Sequence, residues 1–249
     1  MKLNISPALS LAFYAVCGSF PLRELALLTT LNSAQAQISP DNTTNTTVTQ
    51  DGNNFTIKDG DRAGSNLFHS FRDFSVPNDG SAFFDNPTDI ANIFSRVTGG
   101  NISNIDGLLR TNNASLFLIN PAGIIFGAGA RLDLGGGSFY GTTADSLLFD
   151  DGEFSATDLD NPPLITINAP IGLNLRDDPA SITTAAEAEL KVESNQALAL
   201  IGGEVNLNGA KLNGGKITLG GLSASGIVDI NDDLSFTFPD NITKADVFL

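Results

Sequence analysis

Between Asn92 and Thr143 the chain offers no stretch from which a helix could be built. Its apolar runs (108–109, 116–119, 124–126, 132–134 and 139–140) are strand-sized and alternate with glycine, asparagine and proline. A helix needs apolar residues spaced three and four apart over about ten residues or more, and no such spacing occurs here. Short strands joined by tight turns remain. At the centre, Asn120-Pro121-Ala122-Gly123 fits a type I turn: asparagine at the first position, proline pre-setting φ at the second, glycine at the fourth. The runs on either side are apolar at successive positions, so both faces of each strand should be buried, as in parallel or stacked sheets.

From Leu164 the pattern becomes repetitive. Segments 164–167, 171–175, 190–192, 198–201, 205–207, 211–212, 216–219 and 227–230 are short and apolar, with Gly-Gly or Asn-Gly between many of them. Residues 206–209 and 213–215 supply corners suited to positive φ. Short strands at close intervals describe a solenoid, in which inward Leu, Ile and Val stack on those of the next coil. The chain is therefore read as all-β. Phe68, Phe71 and Phe74 are expected in an extended segment that covers the open end of the first coil. Residues 145–160 are acidic and run into Asn161-Pro162-Pro163. They read as a solvated excursion from the coil, without the ligand spacing of a calcium loop.

Residues 1–36 read as a secretory signal. Lys2 gives the positive start, 9–16 and 25–31 are apolar, and Ala34-Gln35-Ala36 offers a small-x-small cleavage site before Gln37. Neither apolar piece reaches the roughly 18 residues of a membrane span, so no stable membrane insertion is expected. The single cysteine, Cys17, lies in the signal, so stability in an oxidising compartment cannot rest on disulfides. The chain carries 13 basic and 28 acidic residues, a formal net charge of −15, and loss of Lys2, Arg23 and Glu24 with the signal makes it one charge more negative. That balance argues against nucleic acid as a partner, because phosphate backbones reward Lys and Arg. Residues 37–50 are polar and rich in Thr and Asn, and read as a flexible leader.

The motifs of common chemistry are missing. There is no H-E-x-x-H, no Cys/His metal spacing, no G-x-S-x-G and no Walker A loop. No catalytic, cofactor-binding or metal-binding residue is assigned, and the chain is read as not an enzyme. Asp229, Asp232 and Asp233 imitate the carboxylate cluster of a carbohydrate-cleaving β-helix, but no Arg or Lys accompanies them to stabilise a developing anion. His69, the only histidine, lies among Phe68, Ser70 and Phe71 with no acid to orient it, and reads as a packed structural residue. Arg96 and Asp106 are expected either to pair with each other or to satisfy buried turn carbonyls, with contact to a partner as the alternative.

Several of these segments occur together in a fixed order: Asn66-Leu67-Phe68-His69-Ser70-Phe71, Asn92-Ile93, Arg96-Val97-Thr98-Gly99-Gly100, Ile105-Asp106-Gly107, and Leu118-Ile119-Asn120-Pro121-Ala122-Gly123-Ile124-Ile125-Phe126-Gly127. Over residues 51–149 this resembles the N-terminal secretion domain of filamentous-haemagglutinin-type exoproteins, the secreted member of two-partner secretion. The family motif reads Asn-Pro-Asn-Gly where Ala122 stands third here, and Asn86-Pro87-Thr88 partly echoes a second motif, Asn-Pro-Asn-Leu. The resemblance implies a right-handed parallel β-helix with an N-terminal cap and extra-helical strands. Residues 51–163 would form the secretion domain and 164–249 further coils. It also implies export through the periplasm and outer membrane to the cell surface or the medium, and recognition by the periplasmic domains of an outer-membrane β-barrel transporter. The implied role is secretion and folding nucleation within an adhesin or surface protein that meets a host or neighbouring cell. A carbohydrate-active β-helix enzyme and a free-standing adhesive β-helix are the alternatives. The residues singled out for recognition are Asn120, Pro121, Gly123 and Ile124, with Asn66, Phe68, His69, Phe71, Arg96 and Gly99 in support; fold maintenance alone would use the same residues. Residues 245–249 stop in apolar strand text, which reads as a piece of a longer exoprotein or a truncated gene.

Overall fold

The computed structural model describes residues 37–249, so the signal assigned to 1–36 lies outside the described residues. Every regular element is a strand. The chain enters with β1 (Ile38–Pro40) and β2 (Thr46–Asp51), turns back as β3 (Asn54–Asp59) and β4 (Asp61–Ala63), and makes the long β5 (Asn66–Phe74). Coils follow as β6 (Ser81–Phe84), β7 (Asn92–Val97) and β8 (Ser103–Ile105), then β9 (Leu108–Thr111), β10 (Ser115–Ile119) and β11 (Ile124–Phe126), then β12 (Arg131–Asp133) and β13 (Phe139–Thr142). The chain leaves the coil for β14 (Ser146–Phe149), β15 (Gly152–Ser155) and β16 (Gly172–Leu175). It returns as β17 (Ile182–Thr184), β18 (Glu189–Lys191), β19 (Ala197–Gly202), β20 (Val205–Asn206), β21 (Lys211–Asn213) and β22 (Lys216–Gly221). A second excursion, β23 (Gly226–Ile230) and β24 (Phe236–Thr237), precedes the last strand, β25 (Val247–Phe248).

Strands at equivalent places in successive coils pair in parallel and build three faces. The first runs β5-β7-β10-β13-β19-β22, the second β3-β6-β9-β12-β18-β21, and the third β8-β11-β17-β20-β25. The molecule is a parallel β-helix. Its register stacks like on like: Leu67, Ile93, Leu116, Phe139 and Leu198 face inward at one level of five successive rungs. One residue further along, Phe68, Phe94, Phe117, Tyr140 and Ala199 form a second ladder pointing outward. Burying each such side chain contributes about 1.5–3 kcal/mol before entropy is subtracted, so stability accumulates between neighbouring rungs.

The outward ladder explains why the first-face strands are apolar on both sides. Strands β14, β15, β16, β23 and β24 form a separate antiparallel sheet, and its Leu147, Phe149, Phe154, Leu173, Leu175 and Val228 join the outward aromatic ladder in one buried cluster. Two expectations are corrected by this sheet. The acidic stretch 145–160 is not a solvated loop: its Leu147 and Phe154 face each other across a hairpin, while Asp150 and Asp151 sit in the turn. Segments 171–175 and 227–230 belong to the extra-helical sheet rather than to coils, because their alternating Leu173, Leu175, Val228 and Ile230 have the outer ladder to cover. Segment 164–167 is no strand at all, and Ile167 is 75 % exposed.

The N-terminal end is capped, and the cap includes the segment read as a flexible leader. Residues 37–50 form β1, antiparallel to β5, and most of β2, antiparallel to β3. Both strands pair the otherwise bare edges of the first rung, which is what makes this polar text order. A β-bulge opposite Ser39 and Pro40 shifts the register of β5. Phe71 and Phe74 therefore both enter the inner core although they lie three residues apart, while Phe68 belongs to the outward ladder.

Candidate functional site

The residues singled out in the sequence gather in two neighbouring places. The first is a corner. Asn120 ends β10's run, and the Gly123 N–H donates to the Asn120 carbonyl at 3.0 Å, closing the expected turn. The Asn120 side chain is fully buried and has every bonding group in use. Its Nδ2 donates to the Asn101 carbonyl at 2.9 Å and to Ser103 Oγ at 2.8 Å, and its Oδ1 accepts from the Ala122 N–H at 2.9 Å. It thus ties its own turn to the corner one rung earlier. Pro121 is buried, Ile124 points into the inner core, and Gly123 has φ of 120°, a region that L side chains rarely adopt. Ala122, third in the turn, is only half-buried, and it contributes its backbone N–H to these bonds but nothing from its side chain.

Gly99 marks the corner of the preceding rung. A Cβ there would overlap the Arg72 carbonyl oxygen, which accepts the Gly99 N–H at 2.9 Å, so only glycine allows the two corners to nest. Between the stacked corners and the start of the strap that follows the hairpin lies a groove of about 600 Å³, lined among others by Thr98, Gly100, Ile102, Pro121, Ala122 and Leu159.

The second place is the outer face of the first two rungs. Asn66 Nδ2 donates to the carbonyls of Thr166 at 3.1 Å and Asn168 at 2.9 Å, while its Oδ1 accepts from Asn92 Nδ2 at 3.1 Å. Phe68 packs against Phe94 and Phe154, with ring centroids 5.1 and 5.2 Å apart. Arg96 is 1 % exposed and donates to Ser70 Oγ at 2.7 Å, to Thr43 Oγ1 at 2.9 Å and to the Ser155 carbonyl, with its guanidinium 5.0 Å from the Phe154 ring centroid. Burial lowers its pKa, and the charges of Asp41 and Asp158 work against that fall. Asp41 is pushed up by burial, but hydrogen bonds from Ser70, Thr43 and Thr98 outweigh this and hold its carboxyl below the usual range. Arg96 and Asp106 do not pair; Asp106 Oδ1 accepts the Gly129 N–H at 2.7 Å instead. Of the two roles left open for Asp106, it takes the one that serves a turn, though through an amide rather than a carbonyl.

His69 and Phe71 lie on the other side of the same strand. His69 is 1 % exposed, stacks on Phe71 with centroids 6.0 Å apart, and shares a hydrogen bond of 3.0 Å between Nδ1 and Thr46 Oγ1 in the cap. Burial pushes its pKa down to about 3, and the Asp59 carboxylate opposes this only in part. Partners that sequence reasoning missed are Asp41, Thr43, Ser70, Ser155, Thr166 and Asn168. For Asp41 and Thr43 a local signal existed, because the Thr43 N–H donates to Asp41 Oδ1 at 2.9 Å in an Asx turn. For the others the contacts span 26 to 102 residues and leave no local trace. Among the described residues, no group of three His, Cys, Asp or Glu side chains is arranged to hold a metal ion.

Comparison with known proteins places this arrangement. A search of curated proteins finds no match. Among solved structures the chain is similar to the HMW1 secretion domain from Haemophilus influenzae, with a TM-score of 0.57 at 23 % identity, covering 83 % of this chain and 48 % of that one. It is also similar to the filamentous hemagglutinin secretion domain, with a TM-score of 0.53 at 17 % identity, covering 80 % of this chain and 67 % of that one. At these identities the likeness shows the fold, and the chain spans about half the length of the HMW1 structure. The family model of the TPS secretion domain matches residues 36–246, so that the cap, both excursions and every coil strand but β25 fall inside it, and the chain belongs to the TPS secretion domain family.

Proposed function

We propose that the chain is the secretion and folding-nucleation module of a two-partner-secretion exoprotein, recognised by the periplasmic domains of an outer-membrane β-barrel transporter and released outside the cell. The observation that carries this reading is the match of the TPS secretion domain model over residues 36–246. The reading assigns the module export and folding rather than catalysis, and places the adhesive or surface-binding role, with its host or neighbouring-cell partner, in the exoprotein as a whole. Recognition is assigned to Asn120, Pro121, Gly123 and Ile124, with Asn66, Phe68, His69, Phe71, Arg96 and Gly99 in support. What favours a contribution beyond folding is the position of Pro121 and Ala122 on the wall of the corner groove.

The test separates recognition from folding. Ala122→Asp changes a half-buried turn residue whose side chain makes no hydrogen bond, whereas Asn120→Ala breaks three. Export and refolding of both variants are measured side by side. Loss of export by an Ala122→Asp protein that refolds as the wild type supports recognition at the corner. Export that falls only together with refolding, in Asn120→Ala and not in Ala122→Asp, overturns the assignment and leaves these residues a purely structural role.

A further inference from the structure

A solenoid rung contacts only its neighbours, so rungs of such a chain can in principle form in order as they emerge. The first rungs here are built otherwise. Arg96 lies on the second rung, yet its guanidinium is bonded by Ser70 one rung earlier, by Thr43 in the cap, and by the carbonyl of Ser155, 59 residues further on. It forms no ion pair among the described residues. A guanidinium buried without its full set of acceptors is costly, so Arg96 must stay in water until Ser155 arrives.

Other contacts repeat the dependence. Phe68 and Phe94 each pack against Phe149, and Phe154 adds an edge contact to Phe68. At the rim, Asn66 holds the carbonyls of Thr166 and Asn168, 100 and 102 residues away. The cap joins the same network: Asp41 accepts from Ser70 Oγ at 2.6 Å and from Thr98 Oγ1 at 2.9 Å, and the Asp41 N–H donates to the Ser70 carbonyl.

We infer that Arg96 is the bolt of a folding latch: the cap and first two rungs stay open until the β14–β15 hairpin and the strap through Asn168 have followed them, and all then close as one cooperative unit. The order of closure follows from these contacts alone. Its use rests on the proposed export role, since the delay keeps residues 66–100 extended and readable for as long as the transporter handles them.

The test is hydrogen-exchange pulse labelling of the purified protein during refolding from urea, read by mass spectrometry. Probe amides are Asp41 and Thr98 for the cap, Ala156 for the hairpin, and those of β19 and β22 for later coils. The latch predicts that Asp41 and Thr98 gain protection together with Ala156 and never before it. In Arg96→Met, cap protection in the native state drops roughly tenfold to a hundredfold, as loss of hydrogen bonds to a charged group does, while β19 and β22 keep theirs. Cap amides protected ahead of Ala156, or a loss in Arg96→Met that is uniform along the chain, would overturn the latch. Should Arg96→Met fail to fold, Arg96→Lys keeps the charge without the planar fork and carries the same comparison. In a second arm, the isolated periplasmic domains of a two-partner transporter are offered at intervals after dilution from urea. Longer capture of the Arg96 variant supports the link to export. Equal capture times with altered cap protection would sink that link while leaving the latch in place.

Discussion

Acid should loosen the N-terminal cap through one residue. His69 is buried between Phe71, Phe84 and Thr46 of β2, and its folded-state pKa is pushed down to about 3 from an ordinary 6.5. The folded protein thus holds the imidazole neutral throughout the mildly acidic range, whereas the unfolded chain takes up a proton once the pH falls below 6.5. The stability tied to neutral His69 is complete above that pH and is lost progressively as pH falls toward 3. Each unit in that window costs about 1.4 kcal/mol, so about 2 kcal/mol is gone at about pH 5, and about 5 kcal/mol over the whole window. A domain is typically stable by about 5–15 kcal/mol, so the loss is a large share. Urea unfolding followed by far-ultraviolet circular dichroism at about pH 7.5 and about pH 5 measures it, with His69→Gln as the reference because glutamine does not titrate. The carboxylates behave alike in both proteins and cancel in the comparison. The wild type should lose about 2 kcal/mol more than His69→Gln over this interval. Equal losses would refute the reasoning, and would mean that protonated His69 is accommodated or that water reaches it in the folded state.

Other substitutions test single contacts in the corners and on the surface. Asn120→Ala removes three hydrogen bonds and strands the groups they satisfied, and should cost about 2–4 kcal/mol by urea unfolding at neutral pH. Gly99→Ala drives a Cβ into the Arg72 carbonyl and should cost about 1–3 kcal/mol. Its neighbour Gly100 has φ of 75° and open space around it, so Gly100→Ala should cost only the left-handed strain, about 1 kcal/mol. The Arg62–Asp89 pair is well exposed, and Asp89→Asn should leave the urea midpoint unchanged in moderate salt.

The coils were legible because their physics is local. A strand-sized apolar run followed by a glycine or asparagine corner specifies a rung wherever it occurs, and the turn at 120–123 could be identified from its four residues. Runs such as 116–119, apolar on successive positions, correctly implied burial on both faces. What lies on the outer face could not be read there, because 147–149, 173–175 and 227–230 look the same in sequence whether they continue a coil or cover one. Sheet membership is decided by pairing across tens of residues, and Leu173 opposite Leu147 on one side and Val228 on the other is visible only in the fold. The leader was misread for a related reason. Strands β1 and β2 are polar, and their order comes from pairing with β5 and β3 rather than from an apolar period. At the site, the burial of His69 followed from its neighbours in sequence, whereas that of Asn120, expected only as the first residue of a turn, did not. The junction at Arg96 did not, since Thr43 and Ser155 lie 53 and 59 residues from it.

The proposed function of this chain is export served by an outer-membrane transporter. The most direct measurement is secretion of the chain in a bacterial host with and without a co-expressed two-partner transporter, the medium and periplasm being assayed by immunoblot. Folded protein is expected in the medium only when the transporter is present. Soluble, folded protein retained in the periplasm despite a functional transporter encoded beside it would rule out that function.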